Sequence, residues 1–277
     1  MEFWKNLSNK TNAHMKKLLV VFCCCFLFNC SEKKEQASTS FLKNNTLELA
    51  PPRVVAPSTI IDSIVTVNAE LKMEGVTIRY TYNGEEPTEN SMLYQNSLEL
   101  SKEGKYKFKA FHQDWKPSAT SEIELFKKGI KPQAFLFKTE ASKVYPGIGK
   151  GTLFNNKKAS LAFKDIQWLG YDTTTVAVVD FKTSVAIKKI TIGYLVDTKS
   201  WIFPPEKVSV IINEEDSVSV VIPKFKEGEY KRLNSVKIPI NKVVETLKIK
   251  VVNSRLPDWH PGASNGAWLF MDEWIFN

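Results

Sequence analysis

Two adjacent carboxylates near the C-terminus, Asp272 and Glu273, are the natural place to look for chemistry. A glycosidic bond is cleaved by two carboxyls that flank it, about 5 to 9 Å apart. This pair lies in a strand-like run, Trp268 to Phe276, where neighbouring side chains point to opposite faces. One carboxylate is therefore expected to face inward and the other outward, and a structural role is expected rather than catalysis. Beyond residue 29 the histidines are His112 and His260, and no Gly-x-Ser-x-Gly elbow accompanies them, so a serine triad has no basis. Gly147-Ile148-Gly149-Lys150-Gly151 is glycine-rich, but it lacks the spacing of a phosphate loop and the helix that should follow.

The tryptophans carry a sharper signal. A sugar ring stacks its apolar C–H face on an exposed aromatic, while its hydroxyls bond to charged and amide groups. One segment with that mixture is Asp197-Thr198-Lys199-Ser200-Trp201, where Asp197, Lys199 and Trp201 are the candidates. A second is Pro257-Asp258-Trp259-His260, offering Asp258, Trp259 and His260, with Asn265 close behind. Both fall between predicted strands. Trp201 and Trp259 either face solvent or fold back onto the core; Trp168 and Trp268 are expected in the core.

The elements that must position these loops are strands. Val65, Val67, Ala69 and Leu71 alternate with polar residues, as do Val76, Ile78, Tyr80 and Tyr82, and then Tyr106, Phe108 and Ala110. Period two over such runs places one face on a core and the other in water. Lys105, Lys107 and Lys109 read as the solvated face of their strand, and Asn83-Gly84 as a turn. Further strands are predicted at Val176 to Phe181, Ile187 to Tyr194, Lys207 to Ile212, Ser217 to Ile222, Val236 to Pro239, Thr246 to Val252 and Trp268 to Phe276. Helical stripes are nearly absent, so the fold class is all-β, with two sandwiches divided near Lys127-Lys128-Gly129.

At the N-terminus, Lys16-Lys17 precedes the uncharged run Leu18 to Phe28. A basic start followed by an apolar stretch of about 16 Å as a helix is a secretory signal, too short for a bilayer core of about 30 Å. Leu27-Phe28-Asn29-Cys30 resembles a bacterial lipobox, which implies that Cys30 is lipidated and residues 1–29 are removed; a signal cut elsewhere is the alternative. Translation starting at Met15 would yield a compact signal. All four cysteines lie at or before position 30, so disulfides are excluded from the exported chain. Export would also lower the net charge from +8 to about +5, which argues against nucleic acid as a partner. Residues 30–51 read as a lipidated cysteine and a polar, flexible tether.

Ile78 to Thr88, with Ser91, Tyr94, Phe108-Lys109-Ala110-Phe111 and Pro117-Ser118, resembles the C-terminal immunoglobulin-like domain of chitobiases and β-hexosaminidases. This assigns 52–128 to an accessory sandwich without catalytic residues. The second block, 129–277, resembles a discoidin-type (factor five/eight type C) jelly-roll sandwich, in the variant that trails β-hexosaminidases of Bacteroidetes. Tyr145-Pro146-Gly147, Trp168-Leu169-Gly170, Trp201-Ile202-Phe203-Pro204-Pro205, Trp259-His260-Pro261-Gly262 and Ala267 to Glu273 carry that likeness. It implies glycan binding through loops at one end, and a structural calcium as candidate cofactor with Asn155 and Glu273 as side-chain ligands. The hexosaminidase barrel of about 250 residues has no room here. The expected function is a non-catalytic carbohydrate-binding lipoprotein of the outer membrane, with glycans and, through its lipid, the membrane as partners. The alternatives are a structural or protein-interaction module of the envelope, and an accessory fragment of a β-N-acetylhexosaminidase.

Overall fold

The computed structural model describes residues 46–277, which belong to one compact unit, Asn44–Asn277. The predicted signal segment 1–29, the expected start at Met15 and the expected lipidation residue Cys30 lie outside the described residues. The fold is all-β, as the alternation predicts.

The first sandwich comprises β1 (Arg53–Val55), β2 (Ile60–Ile61), β3 (Val65–Glu70), β4 (Thr77–Thr81), β5 (Met92–Tyr94), β6 (Leu98–Leu100), β7 (Gly104–Phe111) and β8 (Ser121–Lys127). They form a three-stranded sheet, β1-β3-β6, and a five-stranded sheet, β2-β8-β7-β4-β5. The core takes the predicted alternate residues Val65, Val67 and Ala69 from β3, Ile78 from β4, and Tyr106 and Phe108 from β7, together with Leu125 from β8, a strand the alternation did not single out. Tyr82, expected to continue the inward row of β4, is instead 63% exposed. The strand stops at Thr81, and the chain turns through Gly84 (φ 80°), where the Asn83 carboxamide accepts the Glu85 N–H. On the outer face of β7, Lys105 pairs with Glu122 and Lys107 with Glu86. The flexible segment expected to run to residue 51 does not extend that far. Leu49 is buried and its N–H donates to Lys116 O (3.0 Å), while Lys116 N–H donates to Leu47 O (2.8 Å), which seals the segment onto the domain.

The second sandwich is built from β9 (Ala134–Phe137), β10 (Leu169–Tyr171), β11 (Thr175–Asp197), β12 (Lys207–Ile212), β13 (Asp216–Val221), β14 (Lys231–Val252) and β15 (Leu269–Phe276). β11 and β14 form one long antiparallel ribbon that serves both layers. Thr175 to Asp180 pairs with Thr246 to Val251 and borders β9, whereas the second half of β11 pairs with Lys231 to Val244 and, from Ile190, with β15. Lys182 (φ 62°) and Asn241 (φ 51°) turn the ribbon from one layer to the other. The sequence reads four separate strands here because Lys182, Thr183 and Ser184 break the apolar pattern. Pairing nonetheless resumes after an irregularity between Asp180 and Val185, so the chain never leaves the sheet. β9 and β10 are too short for period two to reveal. Between the layers lie Ile190, Ile192, Val208, Val210, Ile238, Leu247, Ile249, Trp274 and their neighbours.

The two sandwiches share a small apolar contact of Ile60, Phe126 and Ile275. Gly129 fits there because it has no side chain: a Cβ would lie 2.6 Å from Phe276 N and 2.7 Å from Phe276 O. The next residue, Ile130, donates its N–H to Phe276 O (2.7 Å). Beside the contact opens a cleft of about 770 Å³ whose lining includes Ser58, Glu124, Lys158, Gln167, Arg232 and Asn234.

Candidate functional site

The two tryptophan loops meet at the end of β11. After Asp197 the chain makes a single tight turn, Thr198–Ser200, and Trp201 closes it in the left-handed region (φ 64°). A non-glycine residue there is strained, and the surroundings hold it. Asp197 and Ile202 exchange backbone hydrogen bonds of 3.0 Å, and Trp201 O accepts the Trp268 N–H (2.8 Å). The second loop closes on itself, with Leu256 N–H donating to Asn265 O (2.8 Å) and Ser264 N–H to Leu256 O (3.1 Å).

His260 joins the loops. Its Nδ1 accepts the Gly262 N–H (3.1 Å), so the neutral ring carries its hydrogen on Nε2, which donates to Thr198 O (3.1 Å). The Trp201 ring meets His260 edge-on, with centroids 5.3 Å apart at 88°. Gly262 makes room for that indole: a Cβ at 262 would sit 2.6 Å from Cη2 and 2.7 Å from Cζ3 of Trp201.

Of the seven residues expected to form the site, these contacts bring all into one neighbourhood but give them different jobs. Trp201 stays 42% exposed, and Lys199, Asp258 and Asn265 are exposed on the same two loops. Asn265 spends one N–H on Gly262 O (3.0 Å), leaving its carbonyl and second hydrogen free of that bond. Lys199 faces Glu229 (2.8 Å), whose carboxylate raises the lysine pKa. Trp259 is half-buried against Phe203, Leu256 and Ala267. Asp197 and His260 are corrections to the sequence reading. Asp197 is 4% exposed with Lys231 Nζ at 3.5 Å, and His260 is 6% exposed with both nitrogens engaged, so they support the loops rather than meet a ligand. Trp168 is in the core as expected, its indole N–H donating to Ser160 O (3.0 Å), and Trp268 is partly buried beside Tyr145.

A third segment escaped the sequence reading. Thr198 N–H donates to Tyr230 O and Tyr230 N–H to Thr198 Oγ1, both at 3.0 Å, fastening residues 228–230 beside the first loop. Phe225 and Tyr230 stack 4.9 Å apart, and the Arg232 guanidinium lies 4.5 Å from the Phe225 ring centroid. The available signal was a pair of aromatics inside the charged stretch Lys224 to Arg232.

Asp272 and Glu273 behave otherwise than alternation predicts, for both are buried. Ile192 pairs with Trp274 while Tyr194 pairs with Met271, so β15 holds one residue more than β11 across that interval. Such a bulge breaks the period of two. Met271 and Trp274 both enter the core, and the two carboxylates between them meet the 155–159 loop instead. Asp272 pairs with Lys158 and accepts the Ala159 N–H (3.1 Å). Glu273 Oε2 accepts the N–H groups of Asn155 and Asn156, each at 3.0 Å. Burial pushes the Glu273 carboxyl up to about 7 despite those two donors, and the neighbouring Asp272 adds to the rise. The Asn155 carboxamide is also committed, Oδ1 to Lys157 N–H and Nδ2 to Gln167. Calcium wants six to eight oxygen ligands. The two side chains expected to hold it are spent on N–H donors, and they do not fit the ion as arranged. Among the described residues no cluster of three or more His, Cys, Asp or Glu side chains is placed to hold a metal.

Residues 57–122 match the chitobiase/beta-hexosaminidase C-terminal domain. No curated protein matches the chain. Among solved structures the chain is similar to CpGH89CBM32-4, produced by Clostridium perfringens, in complex with GlcNAc-α-1,4-galactose. That likeness has 11% identity and a TM-score of 0.34, over 53% of this chain and 91% of the other. A mutant of the lectin binding domain of Lectinolysin complexed with Lewis b is 7% identical, with a TM-score of 0.35, over 53% of this chain and 92% of its own. A SusE-like protein is 9% identical, with a TM-score of 0.33, over 81% and 95%. Likenesses this distant assign no ligand to this chain.

Proposed function

We propose that this protein is a non-catalytic glycan-binding protein of the cell envelope, with its binding surface on the Trp201 and Trp259 loops and its membrane anchor on Cys30. One observation carries the reading. His260 pins two loops into a fixed unit that leaves Trp201 exposed, and the same two loops carry the exposed polar residues Lys199, Asp258 and Asn265. An aromatic plate with polar neighbours is what a sugar ring requires, and the strained turn at Trp201 is held by backbone bonds before any ligand arrives. Prior ordering of this kind lowers the entropy lost on binding. The match of residues 57–122 to an accessory domain supports a module that accompanies carbohydrate chemistry without performing it.

The test is a glycan array probed with the full chain in detergent, beside a Trp201→Ala variant whose folding is checked by circular dichroism. Losing an aromatic anchor that a bound ligand covers costs about 2 kcal/mol or more, a drop of about thirtyfold in affinity. Binding by the parent and its loss in the variant supports the reading. Binding that survives unchanged moves the site elsewhere, and turnover of a chromogenic N-acetylglucosaminide by the purified chain refutes the non-catalytic assignment.

A further inference from the structure

The first sandwich carries a second concave surface, of about 490 Å³, bounded by β4, the end of β7 and the turns near Gly75, Asn90 and His112. Its volume falls within the range of about 300–1,000 Å³ typical of small-molecule pockets. Arg79, on β4, contributes a guanidinium. Its Nη1 donates to Ser91 O (3.1 Å), but its Nε is shielded from solvent and has no hydrogen-bond partner. Because that nitrogen is out of reach of solvent, the hydrogens left for a ligand are those on the terminal guanidinium nitrogens not given to Ser91. His112 offers another donor: Nδ1 accepts the Asp114 N–H (3.1 Å), so the neutral ring bears its hydrogen on Nε2. Gly75 accommodates that nitrogen, since a Cβ would come within 2.7 Å of it. Trp115, bridged to His112 through the backbone and only partly buried, adds an aromatic wall. Glu89 and Asn90 are exposed at the rim.

We propose that this pocket binds a single neutral, hydroxyl-rich ring of the sugar class, at a site separate from the Trp201 loops. Each hydroxyl both donates and accepts, and the lining supplies both partners: donors from Arg79 and His112, an acceptor from Glu89, and both from Asn90. The positive charge of Arg79 and the negative charge of Glu89 offset one another, so the pocket does not select for an anion. Trp115 provides the apolar surface for the C–H face. The proposal goes beyond the loop-site reading and stands without it. Two sites on one chain would raise the retention of a polymeric glycan well above that of either site alone.

The experiment uses the full chain in detergent with its tryptophans fluorinated, and the Trp115 and Trp201 signals assigned by single Trp→Phe variants. Fluorine NMR follows titration with millimolar N-acetylglucosamine, galactose and, as a charged control, glucuronic acid. The expected result is a saturable shift of the Trp115 signal with a neutral sugar that persists in Trp201→Ala. Glu89→Gln and Asn90→Ala, both at the exposed rim, are expected to weaken that titration by about five- to tenfold each. A Trp115 signal that no neutral sugar moves, that moves only with glucuronic acid, or that is indifferent to both rim substitutions overturns the proposal. Because Trp201 is read in the same spectra, failure of this pocket is distinguished from failure of the loop site.

Discussion

Replacing Lys158 by Met tests how the carboxylate pair on β15 is held. The Lys158 side chain is 10% exposed and that of Asp272 is 1% exposed, and they form an ion pair where β15 bulges toward the 155–159 loop. Gly193 on β11 leaves the space for them, since a Cβ there would overlap both Lys158 Nζ and Asp272 Oδ1. Without the lysine, Asp272 keeps the Ala159 N–H as its donor, and an uncompensated charge stays buried. Removing one partner of a buried pair costs about 3–5 kcal/mol, in line with about 4 kcal/mol for two unit charges 4 Å apart at an effective dielectric constant of 20. Lys158 also sits 5.0 Å from the Phe126 ring of the first sandwich, a contact that contributes about 0.5–1 kcal/mol more. Lys158→Met should therefore lower the unfolding free energy by about 4 kcal/mol in urea denaturation at neutral pH. Adding Asp272→Asn removes the stranded charge yet keeps a carbonyl for Ala159, and it should recover at least about 2 kcal/mol of that loss, the coupling expected of directly contacting residues. A single substitution costing under about 1 kcal/mol, typical of an exposed pair, or a double variant no more stable than the single, would refute the account of a buried, mutually dependent pair.

Glu273 gives a pH signature of its own. Its folded pKa of about 7 lies well above the ordinary glutamate value near 4.5, so between those values the folded state holds a proton that the unfolded chain has released. The stabilisation is complete below pH 4.5, fades as pH rises, and is lost above 7; it amounts to about 3 kcal/mol. Glu273→Gln should flatten that part of the stability–pH curve in denaturant titrations at pH 5 and 8. Since Glu273 is turned to two backbone N–H groups, millimolar calcium should leave the wild-type midpoint at pH 8 unchanged, and an upward shift that Glu273→Gln abolishes would restore calcium as a ligand. Gly262→Ala places a methyl against the Trp201 ring and within 2.9 Å of Leu256 Cδ1. It should alter Trp201 fluorescence and weaken glycan binding on the array, while stability falls by about 1–3 kcal/mol as expected of overpacking.

Alternation alone located β3, β4 and β7 of the first sandwich and β12 of the second, though it passed over β1, β5, β6 and β8. β3 and β7 place Val65, Val67, Tyr106 and Phe108 inward as period two requires, and β12 has the bounds that the pattern set for it. The same rule failed where the chain bends without leaving its sheet. At Lys182 to Ser184 polar residues mimic a loop, but continued pairing with β14 carries β11 through. It failed again at Asp272 and Glu273, because a bulge turns two consecutive side chains to the same side, and nothing in the residue types announces the extra residue. The apolar faces and the two tryptophan loops were thus fixed by local order along the chain, which the sequence states directly. Whether Trp201 faces water, and whether His260 binds a ligand or holds a loop, depended on what lies opposite each side chain: Thr198 O for His260, and the bare Gly262 for Trp201. Those partners are about 60 residues away along the chain or separated by an entire sheet excursion, and only the closed sandwich brings them within bonding distance.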